Sequence, residues 1–175
     1  TIVLNGVSKA YSMTGWRIGY MAGDAEIIKK VEILQSQSTS NPTSISQWAS
    51  VDALTGDQSV ITAMVEAFDR RRRLIVDGLN SAPGVSCLMP EGAFYAFPNI
   101  RGVEKLKGWK AVKEKYEGSS ISSALTSYLL EVAQVAVVPG VEFGNDDNIR
   151  LSFATSDENI EKGVERIKAA LEKLA

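Results

Sequence analysis

The chain has 175 residues, 45% of them hydrophobic and 23% charged, with a formal net charge of −2. That length suffices for one sizeable core or for parts of two domains, and the near-neutral balance gives no electrostatic case for nucleic acid or an anionic membrane. The absence of histidine removes Ser-His, Cys-His and histidine–zinc chemistry, while the single cysteine, Cys87, excludes an internal disulfide and any multi-cysteine metal site.

The first apolar run, Ile2-Val3-Leu4, reads as a buried strand, and a second, Ile18-Gly19-Tyr20-Met21-Ala22, follows a polar connection. In that connection Lys9 comes just after the first strand and Arg17 at the start of the second. A lysine beside small residues can be desolvated; its amine then loses its proton more easily and attacks carbonyls. A nearby guanidinium offers a planar fork of donors suited to phosphate. An amine that forms an imine and a fork that holds a phosphate are what pyridoxal phosphate requires. The plainer reading is a solvated loop lysine and a rim arginine, and the residues alone leave both open.

Gly23-Asp24 reads as a turn with Asp24 as N-cap of a helix carrying Ile27, Ile28, Val31 and Leu34 at helical spacing. The polar run Gln35 to Ser40 and then Asn41-Pro42 end it. A second helix runs from about Ser44 to Leu54, and a long amphipathic one from about Gln58 to Leu79, with Val60, Ile61, Met64, Phe68, Ile75 and Leu79 on its stripe. The latter contains Arg70-Arg71-Arg72-Arg73. Consecutive helical residues turn by about 100° each, so these four form no single stripe, and a solvated face is expected rather than a nucleic-acid patch.

Ala82-Pro83-Gly84 breaks that helix, and strands are expected over Val85–Leu88 and Ala93–Phe97. The stretch from Gly102 to Gly118 is charged and weakly patterned, and reads as a partly helical insertion. A helix over Ile121–Glu131 and a short buried strand over Val135–Val138 follow. Asn148 to Ala154 alternates cleanly: Ile149, Leu151 and Phe153 point one way, Arg150, Ser152 and Ala154 the other. Small neighbours leave room for a ligand beside Arg150, and a guanidinium fixed on a strand clamps a carboxylate with two parallel hydrogen bonds. An arginine on a solvated sheet face is the alternative. A terminal helix runs from about Asp157 to Leu174, with Ser156 or Asp157 as cap. No apolar run approaches the roughly 20 residues that span a bilayer, and no signal-peptide pattern is present, so the default expectation is cytoplasmic.

The segment Asn5-Gly6-Val7-Ser8-Lys9-Ala10-Tyr11-Ser12-Met13-Thr14-Gly15-Trp16-Arg17-Ile18-Gly19-Tyr20 resembles the cofactor-lysine segment of the class I/II aminotransferases, the aspartate aminotransferase family of fold-type I. Pro90-Glu91-Gly92-Ala93-Phe94-Tyr95, Val138-Pro139-Gly140-Val141-Glu142-Phe143-Gly144 and Asn148-Ile149-Arg150-Leu151-Ser152-Phe153-Ala154 are similar to further segments of that family. The resemblance implies that Lys9 carries pyridoxal 5'-phosphate covalently and later acts as general base and acid. It makes Arg17 the phosphate ligand, with Ser8 a further candidate, and Arg150 the ligand of the substrate α-carboxylate. Thr39-Ser40-Asn41-Pro42 matches a loop that reaches the neighbouring subunit's site, with Ser40 near the phosphate and Asn41 toward the substrate. Plain turn chemistry explains the same loop without a ligand.

The fold implied is α/β: residues 1–55 are the C-terminal end of a cofactor-binding large domain, two strands and helices, and residues 56–175 a small C-terminal α/β domain. The function implied is transfer of an amino group between an L-amino acid, aspartate foremost, and a 2-oxo acid, by a homodimer. Where one branch of the family has an arginine to read a distal carboxylate, this chain has Ser36-Gln37-Ser38, which weakens the case for aspartate. The cofactor lysine normally lies past the middle of a longer chain, so the expectation is a C-terminal piece, split from other site residues. The alternatives are another enzyme of the same cofactor and fold (an alanine, aromatic or branched-chain aminotransferase, or a β-lyase) and a non-catalytic folding or dimerisation unit.

Overall fold

The computed structural model describes residues 1–116 and 119–175, and they fall into two compact units, Thr1–Val65 and Glu66–Ala175. The division falls inside a long helix, whereas the expectation from the resemblance drew it at 55/56, ahead of that helix.

In the first unit the two apolar runs pair with each other. Strands β1 (Val3–Gly6) and β2 (Gly19–Ala22) are antiparallel, in register from Val3↔Ala22 to Gly6↔Gly19. They are not the buried strands expected: Leu4 is 75% exposed. A two-stranded ribbon leaves both faces and both edges open unless something is laid over them. Helix α1 (Ala25–Ser38) starts where Asp24 accepts hydrogen bonds from the N–H groups of Glu26 and Ile27, at 2.9 and 3.4 Å. It ends inside the polar run expected to end it, at Ser38 with Thr39 as C-cap. Ser36 donates to the Ile33 carbonyl at 2.7 Å, so its hydroxyl is satisfied within the helix, and left-handed Ser40, at φ 65°, and Pro42 lie just past the end. Helix α2 (Ser44–Thr55) follows.

Helix α3 (Ser59–Asn80) continues into the second unit. Its arginine quartet is tied in pairs, with Arg70 and Arg73 exposed and Arg71 and Arg72 half-buried. Arg70 and Arg71 hold Asp157, at 2.6 and 2.9 Å, while Arg72 and Arg73 hold Asp69. The four arginines are thus tied within the chain rather than merely solvated. The second sheet has the order β3 (Tyr95–Ala96), β5 (Ile149–Ser152), β4 (Val138–Pro139), all antiparallel. The alternation of β5 is as read: Ile149, Leu151 and Phe153 are buried, and Arg150 and Ser152 lie on the other face. Three strands are shorter than expected. Ala93–Phe97 pairs only over Tyr95–Ala96. Val85–Leu88 contributes only the isolated bridge Ser86↔Asn99. Val135–Val138 pairs only from Val138, because Val135 and Val137 pack against the core as side chains without ladder partners there.

The stretch read as an insertion is part of the core. A 3-10 turn at Arg101–Lys105 and helix α4 (Trp109–Lys115) bury Val103, Trp109 and Val112; Glu117 and Gly118, at its end, lie outside the described residues. Three large apolar groups spread among many charges hide a helical face from a periodicity count. Helix α5 (Ile121–Tyr128) passes into a π-helical turn at Leu129–Ala133. Helix α6 (Asp157–Glu172) is capped by Ser156, which accepts from the Asn159 N–H, and buries Ile160, Ile167 and Leu171. Among the described residues no helix is long and apolar enough to cross a membrane.

Candidate active site

The connection between β1 and β2 is a built turn. Val7, fully buried, anchors its start, and the Tyr11 N–H donates to the Val7 carbonyl at 3.3 Å. The Ser12 N–H closes on the Lys9 carbonyl at 3.2 Å. The Tyr11 hydroxyl donates to Gln58 Oε1 at 3.0 Å, and Gln58 Nε2 donates in turn to the Ala53 and Gly56 carbonyls. The turn is therefore fastened at several points, although its side chains face outward.

Ser8, Lys9 and Arg17 line one open concavity of about 560 Å3, together with Asn5, Gly6, Ala10, Ile18 and Gly19. Gly6 lets the strands close up there, since a Cβ would stand 3.0 Å from the Ile18 carbonyl oxygen. Lys9 is exposed, so the desolvation expected from its small neighbours is not found. Arg17 holds a left-handed backbone at φ 56°, which costs a residue with a Cβ about 1 kcal/mol or more. One of its terminal nitrogens donates to the Thr14 carbonyl at 2.9 Å. That bond steadies the guanidinium and leaves most of its five donors for a ligand.

Pyridoxal phosphate needs a primary amine for its aldehyde and donors for its phosphate. Lys9 offers the first, Ser8 and Arg17 the second, around the same concavity, so the donor set fits the group. None of the residues lining it is a carboxylate that could pair with the pyridine nitrogen. Among the described residues, no group of three or more His, Cys, Asp or Glu side chains could hold a metal ion.

Ser40 and Asn41 are exposed and do not line the concavity. The Asn41 amide donates to the Pro42 carbonyl at 2.8 Å, as does Gln47. Turn chemistry thus accounts for Asn41 locally, while the left-handed Ser40 is the second candidate residue on a strained backbone.

Arg150 belongs to the second unit, on the central strand β5. Sequence periodicity left it only small neighbours, but two rings flank it. Its guanidinium carbon lies 4.5 Å from the Tyr95 ring centre and 4.4 Å from that of Phe143. Among the described residues its guanidinium has no hydrogen-bond or ion-pair partner, so its in-plane donors are available. Periodicity passed over Tyr95 and Phe143 because each comes from a different element. The pairing Tyr95↔Ser152 puts Tyr95 on the Arg150 face, a signal that appears only once strands are registered.

Elsewhere in the second unit, Asp146 accepts from the N–H groups of Ile121 and Ser122, both at 3.0 Å, and from the Ser122 hydroxyl at 2.6 Å. Burial alone would raise its carboxyl, but the hydroxyls of Ser120 and Ser122 and the backbone N–H groups of Ser122 and Ile121 bring it down to about 2.

The family described as aminotransferase class I and II matches residues 1–167. An aspartate/prephenate aminotransferase of Nitrosomonas europaea is 50% identical over 98% of this chain and 42% of its own length. An aspartate aminotransferase of Geobacillus stearothermophilus is 47% identical over 100% of this chain, again 42% of its own. The crystal structure of the aspartate aminotransferase from Rhizobium meliloti superposes with a TM-score of 0.90 at 47% identity, covering all of this chain and 42% of that one. The chain thus spans well under half the length of the relatives it matches.

Proposed function

Because the chain belongs to the class I and II aminotransferases, we propose that it forms part of a pyridoxal-phosphate enzyme, a cytoplasmic homodimer, that moves an amino group between an L-amino acid and a 2-oxo acid. Aspartate is the amino donor put first, on the strength of the aspartate aminotransferases to which the chain is similar. Residues 1–55 are taken as the end of the cofactor-binding domain and residues 56–175 as the small domain. What supports the reading most is that Ser8, Lys9 and Arg17 line one concavity.

When bound, pyridoxal phosphate supplies an electron-withdrawing ring that acidifies the substrate Cα–H. Arg17 and Ser8 would hold the phosphate, and Ser40 would be a further donor to that of the neighbouring subunit. Lys9 Nζ would act as general base toward the substrate Cα–H and then as general acid, carrying the same proton. Arg150 grips the α-carboxylate through two parallel hydrogen bonds, which orients the Cα–H bond; Asn41 is a further substrate contact.

Borohydride reduction of the pyridoxal-phosphate-loaded protein, followed by peptide mapping, is expected to leave a pyridoxyl group on Lys9. A label on other lysines only would overturn the assignment. Amino-donor profiling is expected to pair loss of aspartate with amination of a 2-oxo acid, whereas release of ammonia and pyruvate alone would point to a β-lyase. A second reading, a folding or dimerisation unit with at most trace activity by itself, is favoured by the exposed Ile45, Trp48 and Val51 of α2.

A further inference from the structure

We propose that Tyr95 and Phe143 are positioning residues that set the plane of the Arg150 guanidinium for a carboxylate ligand. The proposal rests on the reading of Arg150 as the α-carboxylate ligand.

A guanidinium carries all its N–H donors in its plane and none on its faces. An aromatic face within about 6 Å of the cation attracts it through the ring quadrupole. Both rings are well inside that range of Arg150. Each ring has its own aromatic neighbour: Tyr95 lies against Phe94, with centres 4.5 Å apart, and Phe143 against Phe97, with centres 6.1 Å apart. Two rings thus lie against the Arg150 guanidinium, and among the described residues its N–H donors have no hydrogen-bond partner. A planar anion such as a carboxylate is the ligand that such an edge fits bidentately.

Both rings are themselves held. Tyr95 sits in β3, paired with β5 at Tyr95↔Ser152, and the ladder continues to the bridge Asn99↔Asn148. Phe143 ends a 3-10 turn at Gly140–Phe143 directly after β4. That turn is tied by Val141 N–H to Ser122 Oγ at 3.2 Å, by Gly140 N–H to the Asn148 carbonyl at 2.9 Å, and by Asn145 N–H to the Gly140 carbonyl at 3.0 Å. The Phe143 ring stands at 90° against Phe97, with centres 6.1 Å apart. Phe143 nonetheless remains 47% exposed. A half-exposed ring so firmly fixed contributes little to the core and much to the direction of the guanidinium beside it.

The test uses the full-length enzyme and reads KM and kcat for the amino donor and the 2-oxo acid separately, since both carry the carboxylate. Phe143→Leu and Tyr95→Leu are each expected to raise KM for both substrates about tenfold, the order of a lost cation–π contact, with kcat changed less than about threefold. Phe143→Tyr and Tyr95→Phe keep a ring and are expected to stay within about twofold of the parent KM. In an Arg150→Leu background, Phe143→Leu is expected to add no further rise. If Arg150→Leu leaves KM unchanged, the reading of Arg150 fails and the proposal with it. If Arg150→Leu raises KM but the leucine variants at 95 and 143 lower only Tm, Arg150 stands and the positioning role is overturned. An equal rise from Phe143→Leu with and without Arg150 also overturns it.

Discussion

The two units use their apolar residues in opposite ways. The second closes a core: α3, α4, α5, β5 and α6 all send side chains into it, and Phe153, Leu125, Leu129 and Leu171 are buried almost completely. In the first unit, Val7 is the one large hydrophobic group found buried among the described residues. Leu4, Leu34, Ile45 and Trp48 stand open, Trp48 at 74%. The apolar runs of the first unit read from sequence as buried strands and α3 as amphipathic, yet patterning marks only what seeks cover and not where the cover comes from. The candidate site follows the same contrast. Arg150 rises from a packed frame, whereas Lys9 and Arg17 sit on a ribbon held mainly by hydrogen bonds in its connecting turn.

The largest expected effect separates chemistry from packing. Lys9→Ala in the full-length enzyme is expected to lower kcat by about a thousandfold or more, while the thermal transition of the second unit stays in place. A loss of that transition would mean that Lys9 acts through folding. Next comes the packing contrast itself. Phe153→Ala is expected to cost about 3–5 kcal/mol in urea unfolding, against less than about 0.5 kcal/mol for Leu4→Ala in this chain. Equal costs would abolish the contrast; a large cost for Leu4→Ala only in the full-length enzyme would sharpen it by showing that other residues cover the ribbon.

A smaller effect concerns acid. The Asp146 carboxyl lies at about 2 in the folded chain, below its ordinary 3.8. Its contribution is therefore fully present above about pH 4 and lost as the pH falls toward 2. Asp146→Asn is expected to flatten the acid limb of a stability–pH curve followed on the second unit, and an unchanged limb would assign acid unfolding to other groups. The smallest effect is at Arg73, whose exposed pairing with Asp69 at i,i+4 is expected to matter so little that Arg73→Ala leaves Tm unchanged in a thermal scan.

Much of this was legible in the sequence where the information is local. The Asp24 cap, the alternation of β5 and the spacing of Lys9 from Arg17 all depend on neighbours a few residues away. The polar run that ends α1 was legible too, but not the residue within it: Gln35 to Ser38 are polar without being helix breakers and stay helical, so the end falls at Thr39. The core role of Trp109 was hidden by surrounding lysines and glutamates. The rings beside Arg150 depend on strand register and on one turn after β4, and no pattern within a single segment contains either. The exposure of Lys9 was misjudged for a related reason: small neighbours lower steric bulk but exclude water only when something packs over them.

Gly140 gives the turn bearing Phe143 a genetic consequence. A Cβ at this position would lie 2.1 Å from the Asn148 carbonyl oxygen and 2.2 Å from that of Asn145. Every amino-acid replacement within one nucleotide of a glycine codon adds at least that atom. The position therefore has no conservative neighbour in mutational space. In a saturation library selected for amino-group transfer it should appear as a column with a single surviving letter, beside the far more permissive column of Gly144, where added atoms meet nothing within 4 Å and only the backbone angle resists.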